Sequence, residues 1–306
     1  MHISAFLQIL IGCIFLALFP AAAWWYIFYV KKHEDRRSTL FTFAIGGLAV
    51  FPILLYKWSW KYFPNINILE YAKNFENDLI GFSGFVMIPL SVIITFAFVG
   101  VIEEVMKQSV VHAVDDNRIR HIDDSIMFSI LAAIGFSFTE NILYFYTIWA
   151  SQGAEHLLIP FIFRAIFSIF AHILFSSIFG YYYGLGHFAK PLLQKELINQ
   201  KYNFWDWYNR VVKFRTVELF HEQMVLKGLL IAVFLHAAYN IFLEMGWTFL
   251  MVPYLVIGYL YVSHLFKLKD NQKDMLLVNK RNNHSICGSG HISCKIRKLL
   301  PRESHM

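Results

Sequence analysis

Seven long runs of apolar residues follow one another along the chain, and polar stretches separate most of them. The runs cover residues 3–30, 40–58, 89–114, 125–149, 160–188, 225–245 and 247–266. Each is close to the roughly 20 residues that an α-helix needs to cross a bilayer. The pattern predicts seven transmembrane helices, of which the third to the sixth form the core of the bundle.

The composition agrees with this pattern. Of the 306 residues, 57% are hydrophobic and only 16% are charged, which is far too apolar for a soluble domain. The cysteines, Cys13, Cys287 and Cys294, are too few and too scattered for a disulfide framework. These features predict an all-α fold, a polytopic membrane helix bundle.

Positive charge is unevenly distributed among the loops, and this predicts the orientation of the chain. Four Lys or Arg lie in residues 31–38 and six in 189–224, the tail after Lys267 is basic, and residues 150–157 contain none. By the positive-inside rule the N-terminus lies outside and the tail is cytoplasmic. The net charge of +6 is therefore a topology signal, and we expect no nucleic-acid partner. Because the first run is followed rather than preceded by basic residues, an uncleaved first helix is favoured over a signal peptide.

Polar segments outside the runs carry weaker signals. Residues 61–88 are expected to form an outer loop that dips into the interface. Residues 189–224 mix aromatic and basic side chains, which suits an interfacial helix on anionic membrane lipids or a solvated linker. The tail from residue 270 is polar and is expected to be poorly ordered. Its His284, Cys287, His291 and Cys294 resemble a metal-binding tract, but their spacing fits no common zinc module.

Four of the predicted helices carry a polar cluster inside an apolar run. Ionisable groups are costly in a bilayer, so such clusters are candidate functional sites. Counted at 1.5 Å per residue from the outer helix ends, all four fall in the middle of a hydrocarbon core about 30 Å thick. We therefore expect them to meet. The clusters are Glu103 with Glu104, Glu140 with Asn141, His172 with Ser176, and His236 with Asn240.

Spacing within each helix indicates which side chains share a face. The two members of the His172 cluster, and likewise of the His236 cluster, are four residues apart and lie on one face. Glu103 and Glu104 point about 100° apart, so one can face a buried pocket while the other pairs with Lys107 or a neighbouring helix. Spacing alone does not decide which does so.

Several charged or titratable side chains lie nearer the predicted helix ends. Snorkelling to the headgroups is the expected behaviour of Lys107, His112, Arg164 and Glu244. A single intramembrane His or Asn is often only a packing residue or an interhelical hydrogen bond. Three carboxylates and two imidazoles at one depth exceed what packing requires, and they indicate a proton-linked or metal-linked site.

Four motifs in order carry a family resemblance. They are Glu103 and Glu104 followed by Lys107, Phe136 followed by Glu140 and Asn141, His172, and His236 followed by Asn240. In residue type, order and spacing they resemble the PrsW family of intramembrane proteases, over about residues 81–262. The family is related to the CAAX-processing and bacteriocin-processing proteases of the glutamic type, which have a His where this chain has Glu140. Glu140 in that position is typical of the PrsW branch.

The resemblance implies a peptidase of regulated intramembrane proteolysis in the cytoplasmic membrane of a bacterium. The expected substrate is another membrane protein, such as an anti-sigma factor, cut near or within its span. Such hydrolysis needs an activated water, a stabilised oxyanion and a proton for the leaving amine. The resemblance assigns the general base to Glu103. Glu140 or His172 would hold the water or shuttle the proton, and His236 with Asn240 would donate to the oxyanion. Supporting roles go to Glu104, Lys107, Asn141 and Ser176.

Three alternatives remain open. In a metal-dependent version Glu103, Glu140, His172 and His236 would ligate zinc. No cofactor is favoured, because the chain lacks a His-Glu-x-x-His motif and adjacent carboxylates are a poor start for a tetrahedral site. The cluster would also suit a proton or cation transporter, although no paired broken helices or inverted repeats are apparent. The third alternative is a catalytically silent scaffold that binds a client helix.

The predicted organisation has three parts. Residues 1–78 form two N-terminal membrane helices and a loop, residues 79–266 form a protease core of five helices, and residues 267–306 form a basic cytoplasmic tail.

Overall fold

The computed structural model describes residues 3–31, 36–82, 86–114, 119–188 and 217–286. Its helices are α1 (Ile3–Lys31), α2 (Arg36–Leu48), α3 (Phe51–Ser59), α4 (Ile68–Lys73), α5 (Leu90–Val114), α6 (Ile122–Gln152), α7 (Leu158–Phe163), α8 (Ile169–His187), α9 (Val217–Glu244) and α10 (Met251–Ile286). A π-helical turn, Arg164–Ser168, joins α7 to α8. A short hairpin consists of β1 (Leu79–Phe82) and β2 (Val86–Pro89).

Six of the described helical segments are long and apolar enough to cross a membrane, which confirms the prediction of an all-α polytopic membrane bundle. They are Ala5–Tyr29, Arg36–Ser59, Ile122–Gln152, Ala154–His187, Glu218–Glu244 and Thr248–Lys269. At 25 residues, α5 is about 38 Å long and would also span a core of about 30 Å. It differs in composition, because Glu103, Glu104 and Lys107 place three charges inside it. The count of seven spans and the sides of the two ends stay predictions.

The centre of the bundle is α6, which packs against α1, α2, α5 and α8. α9 packs against both α8 and α5, so α5, α6, α8 and α9 form the predicted core. Glycines let the backbones approach closely. A Cβ on Gly135 of α6 would overlap the carbonyl oxygen of Phe43 in α2, and one on Gly180 of α8 would lie 2.7 Å from the Cα of Ile126.

The two N-terminal membrane segments flank this core. α1 buries a stripe of small residues, Cys13, Ala17 and Ala21, along one side. The second apolar run is not one uninterrupted helix, because α2 ends at Leu48 and α3 begins at Phe51. Pro52 lies in the first turn of α3, where its missing N–H is tolerated. No charged side chain of the candidate site comes from these helices, as the pattern predicted.

The outer loop predicted for residues 61–88 contains regular structure. Asn67 caps α4 by accepting hydrogen bonds from the backbone N–H groups of Leu69 and Glu70, at 3.1 and 3.4 Å. β1 and β2 pair antiparallel. The Leu90 N–H donates to the Asp78 carbonyl at 2.7 Å, so α5 begins directly after the hairpin. Pro89 is the last residue of β2, and α5 begins at the next residue.

Two helices extend further than the apolar pattern predicted. α9 begins at Val217 rather than near residue 225, and α10 continues to Ile286 rather than ending near residue 266. The added residues are rich in Glu, Gln, Lys, Leu and Met, which are strong helix formers, so the helices continue past the apolar runs. The expectation of disorder from residue 270 is therefore wrong as far as Ile286.

The chain divides into two compact units, Met1–Tyr259 and Leu260–Met306. The first contains the whole helical core, and the described part of the second is the remainder of α10. The three-part division at 78/79 and 266/267 stays a prediction. Residues 189–216, and the side chains of His284, Cys287, His291 and Cys294 with their metal-tract hypothesis, lie outside what the structure describes.

Candidate active site

The site begins on α5, where Glu104 and Lys107 are three residues apart and both are almost fully buried. The Lys107 Nζ lies 2.6 Å from the Glu104 Oε1 and 2.9 Å from the His172 Nδ1. It also lies 4.9 Å from the centre of the Phe136 ring, close enough for a cation–π contact. The expectation that Lys107 snorkels to the headgroups is therefore wrong. A carboxylate, an imidazole and an aromatic face hold its charge inside the protein.

His236 on α9 brings the two adjacent glutamates to one ring. Its Nδ1 lies 2.8 Å from the Glu104 Oε1, and its Nε2 lies 3.4 Å from the Glu103 Oε2. Glu103 and Glu104 point about 100° apart on α5, and each nitrogen of the imidazole faces one of the two carboxylates. Gly100, one turn before Glu103, allows the approach of α9, because a Cβ there would lie 3.3 Å from the Val233 carbonyl.

His172 on α8 links Lys107 to Glu140 on α6. Its Nδ1 faces the Lys107 ammonium at 2.9 Å, and its Nε2 faces the Glu140 Oε2 at 3.1 Å. An ammonium group only donates hydrogen bonds, so Nδ1 must accept and Nε2–H must donate to the carboxylate. The neighbouring charges therefore select one tautomer of His172. The His172 and His236 rings pack edge to face, with centroids 5.1 Å apart.

Arg164 completes the set and was missed by the sequence reasoning, which assigned it to snorkelling. Its Nη2 forms an ion pair with the Glu140 Oε1 at 2.8 Å, and its Nε donates a hydrogen bond to the Asn141 Oδ1. The contacts run without interruption from Arg164 through Glu140 and His172 to Lys107. From there they continue through Glu104 and His236 to Glu103.

One side of the site is more accessible than the rest. The Glu140 side chain is 30% exposed and that of Glu103 13%, whereas those of Glu104, Lys107, His172 and His236 are almost fully buried. The exposed part of the cluster therefore lies at Glu140 and, to a smaller extent, at Glu103.

Several buried polar atoms near the site have no hydrogen-bond partner among the described residues. They are the Glu103 Oε2, Asn141 Nδ2, Arg164 Nη2, Ser176 Oγ and Tyr239 Oη, of which the Arg164 Nη2 still forms an ion pair with the Glu140 Oε1 at 2.8 Å. Because buried polar atoms are nearly always paired with protein or water, such atoms mark places where water or a ligand binds. Asn240 is half-buried, and within the described part of the chain no hydrogen bond joins it to the site. Its proposed contact with the oxyanion stays a prediction.

One group of described residues has the composition of a metal site. Ligand atoms of Glu103, His172 and His236 all lie within 4.8 Å of one another. Two His and one Glu are a common set for catalytic zinc. However, both ring nitrogens of His172 are engaged, one by the Lys107 cation and the other by Glu140. In this arrangement His172 has no free lone pair, so the residues do not fit a metal unless His172 gives up one of these contacts.

Fold and site together define a multi-pass membrane protein with a buried cluster of carboxylates and imidazoles in its core. Comparison with known families assigns the class. Residues 34–197, which are more than half of the chain, match the family described as PrsW family intramembrane metalloprotease. The chain belongs to this family of intramembrane proteases, which are peptidases. The resemblance found in the motifs is thereby confirmed. The match begins earlier than residue 81 and ends before His236.

Three bacterial relatives, each called Protease PrsW, are similar to this chain. The one from Geobacillus kaustophilus is 28% identical over 175 residues, which cover 56% of this chain and 64% of the relative, less than two thirds of its length. The one from Oceanobacillus iheyensis is 24% identical over 77% of this chain and 83% of the relative. The one from Shouchella clausii is 23% identical over 85% of this chain and 97% of the relative. No solved structure matches the chain.

Proposed function

We propose that the protein hydrolyses a peptide bond near or within the span of another membrane protein, using a water activated by Glu103. The observation that carries this proposal is the unequal pairing of the three glutamates. Lys107 pairs with Glu104 and Arg164 pairs with Glu140. Among the described residues, no Lys or Arg forms an ion pair with Glu103, and its Oε2 accepts no hydrogen bond.

This pairing separates the two adjacent glutamates, which their spacing alone left equivalent. Glu104 is held by a cation and an imidazole, so its oxygens are engaged in structure. Glu103 has a buried oxygen, Oε2, that faces the His236 ring at 3.4 Å and accepts no hydrogen bond, so a water that enters the site can donate one to it. A general base must be within hydrogen-bond reach of the proton that it takes, and the unbonded oxygen of Glu103 supports its assignment as the base over Glu104.

The neighbouring groups supply the remaining steps. Glu103 takes a proton from the water as the water oxygen attacks the substrate carbonyl carbon. His236 donates Nδ1–H to Glu104, so its Nε2 faces Glu103 and can hold the proton that Glu103 has taken. The protonated ring then donates to the oxyanion, together with Asn240. When the C–N bond breaks, this proton passes to the leaving amine. Glu140, whose position is fixed by Arg164 and His172, holds the water through its remaining lone pairs.

The decisive variant is Glu103→Gln, which preserves shape and removes the base. We expect cleavage to fall by about 10²- to 10⁴-fold, the scale of general-base catalysis, while the protein still folds, because no charge partner is left behind. The assay substrate is the membrane protein whose fragments disappear when Glu103→Gln replaces the wild type in a comparison of membrane proteomes. Glu155→Gln, on an exposed side chain, is the matched control.

Two results would reject this proposal. Normal cleavage by Glu103→Gln would remove Glu103 as the base. A proteome with no change in any membrane-protein fragment would favour the transporter or the scaffold, which a proton-flux assay in liposomes then separates.

A metal-dependent reaction is the second candidate, and the convergence of Glu103, His172 and His236 favours it. It requires His172 to release Lys107 or Glu140. The zinc would polarise the carbonyl and lower the pKa of a bound water. Sensitivity to chelators distinguishes it from the metal-free reaction.

The proposed substrate is a regulatory membrane protein such as an anti-sigma factor, and the proposed location is the bacterial cytoplasmic membrane. Support comes from the family and from the distribution of basic residues, which predicts an outer N-terminus. Reporter fusions at Gln152 and at Lys201 should report opposite sides of the membrane. The same side for both would reject this orientation.

A further inference from the structure

We propose that Arg164 is a positioning residue of the active site, which holds Glu140 in place and, through Glu140, orients His172. The inference rests on the proposed function, since it concerns the same reaction. It begins from a feature of the backbone, the π-helical turn Arg164–Ser168 that directly precedes α8.

The π-turn changes which residues share a face. Arg164 and His172 are eight residues apart, and in a straight α-helix this spacing would rotate them by about 80° from each other. A π-turn accommodates one extra residue, so the two are placed as if they were seven apart, within about 20° of the same face. Both side chains consequently reach the same carboxylate, Glu140 on α6. π-Turns within α-helices are frequent at functional sites.

The contacts of Arg164 fix its guanidinium on three sides. Nη2 pairs with Glu140, Nε donates to the neighbouring Asn141, and the guanidinium carbon lies 4.5 Å from the centre of the Tyr144 ring. The planar fork of Arg suits this combination of a carboxylate, an amide oxygen and an aromatic face, and Lys cannot reproduce all of it. The Arg164 side chain is 12% exposed, which is unlike a side chain that extends to the headgroups.

Glu140 divides its two oxygens between two partners. Oε1 faces Arg164 and Oε2 faces the Nε2 of His172. Without Arg164, the more exposed carboxylate of the site would keep a single protein partner and could rotate away from His172. His172 would then lose the acceptor that fixes its ring beside Glu103. A positioning defect of this kind lowers kcat and leaves substrate binding largely intact.

The test compares Arg164→Gln and Arg164→Lys with the wild type, using the substrate identified through Glu103→Gln and protein purified in detergent. We expect Arg164→Gln to lower kcat by about 10- to 100-fold with KM within about twofold, the scale of a small misplacement of catalytic groups. Arg164→Lys should recover part of kcat, because it keeps the charge beside Glu140. The control Arg120→Gln, on an exposed side chain, should match the wild type.

A double-variant cycle tests the route through Glu140. If Arg164 acts through this carboxylate, Glu140→Gln/Arg164→Gln should be no slower than Glu140→Gln alone. Additive losses, an unchanged kcat in Arg164→Gln, or a rise in KM alone would each overturn the inference. If Arg164→Gln does not fold, Arg164→Lys is the deciding variant. It leaves Asn141 unpaired, so a kcat equal to that of the wild type would argue against a positioning role for Arg164.

The two proposals fail in different ways. If Glu103→Gln is inactive and Arg164→Gln retains full kcat, only the role of Arg164 is wrong. If Glu103→Gln cleaves normally, the proposed reaction itself is wrong.

Discussion

α1 and α5 are both long enough to cross a membrane, yet they place their polar and apolar residues in opposite ways. α1 has no charged residue before its last position, exposes large side chains such as Phe15 and Phe19, and buries small ones such as Cys13 and Ala17. α5 buries Glu104, Lys107 and Gln108, and its exposed residues include Val101. In a bilayer the apolar surface faces lipid and the polar groups face protein, so burial of charge marks the functional helix.

The comparison also shows how the charges on α5 are tolerated. Glu104 and Lys107 pair with each other on α5, and each also contacts another helix of the core: Glu104 contacts His236 on α9, and Lys107 contacts His172 on α8 and the Phe136 ring on α6. α1 can therefore vary on its lipid side with little effect, whereas single changes on α5 leave an opposite charge unpaired. The predictions below test this contrast, from the largest effect to the smallest.

Lys107→Met should produce the largest loss of stability. It removes the cation that Glu104 faces at 2.6 Å while keeping a side chain of similar length. Leaving one partner of a buried ion pair uncompensated costs about 3–5 kcal/mol. The free energy of unfolding in detergent measures the effect. Glu104→Gln combined with Lys107→Met should recover part of the loss, because both charges are then gone.

The control for this prediction is Lys57→Met, on an exposed side chain of α3, which should change the unfolding free energy by less than about 0.5 kcal/mol. A Lys107→Met protein as stable as the wild type would show that Lys107 is not the partner that Glu104 needs.

Gly135→Ala should cost about 1–3 kcal/mol, the range for overpacking a tight contact. The added Cβ would overlap the Phe43 carbonyl oxygen, which belongs to the backbone and cannot rotate away. Gly258→Ala adds the same methyl group to a helix, but there it meets only the end of the Leu174 side chain at 3.2 Å. We expect a markedly smaller loss for Gly258→Ala, and equal losses would contradict the account of α2 packing on α6.

Chelators test whether the charged residues around α5 bind a metal ion. With EDTA or phenanthroline we expect the activity of the wild type to stay within about twofold, because Lys107 and Glu140 engage both nitrogens of His172. Inactivation that is reversed by added zinc would establish the metal-dependent reaction and require a rearranged His172.

Phe19→Ala should have the smallest effect. The Phe19 ring is 74% exposed and faces the surroundings of the bundle on α1. Because lipid tails solvate it in any state of the chain, removing it should change stability by less than about 0.5 kcal/mol and leave cleavage unaltered. A loss above about 1 kcal/mol would show that this side of α1 is covered by another chain.

Much of the fold was predictable because the bilayer imposes a simple rule on length and apolarity. The pattern located all the long helices and placed Glu103, His172 and His236 at one depth, where the structure brings them together. Their chemical roles stay predictions. The pattern failed where polar helix formers extend a helix past the membrane run, as at the start of α9.

Lys107 and Arg164 show why depth alone was insufficient for the site. Both lie near the predicted helix ends, where snorkelling is the usual outcome. Whether such a side chain turns inward depends on partners supplied by other helices, which are invisible in a local pattern. For Arg164, regular helical spacing also did not show that it shares a face with His172, because a π-turn shifts the register between the two residues. The signal that could have found both was the set of three glutamates in the apolar runs, because buried carboxylates need cations or other hydrogen-bond donors as partners.

The continuous run of contacts from Arg164 to Glu103 has a consequence for how the protein is made. α5 leaving the translocation machinery alone would expose Glu103, Glu104 and Lys107 to lipid, at a cost of about 2.5–3.5 kcal/mol for each acidic or basic residue at the centre of a helix. The partners that neutralise them arrive later in synthesis, and His236 on α9 comes last, more than a hundred residues downstream. The cluster is therefore complete only when α9, the last core helix in chain order, has docked.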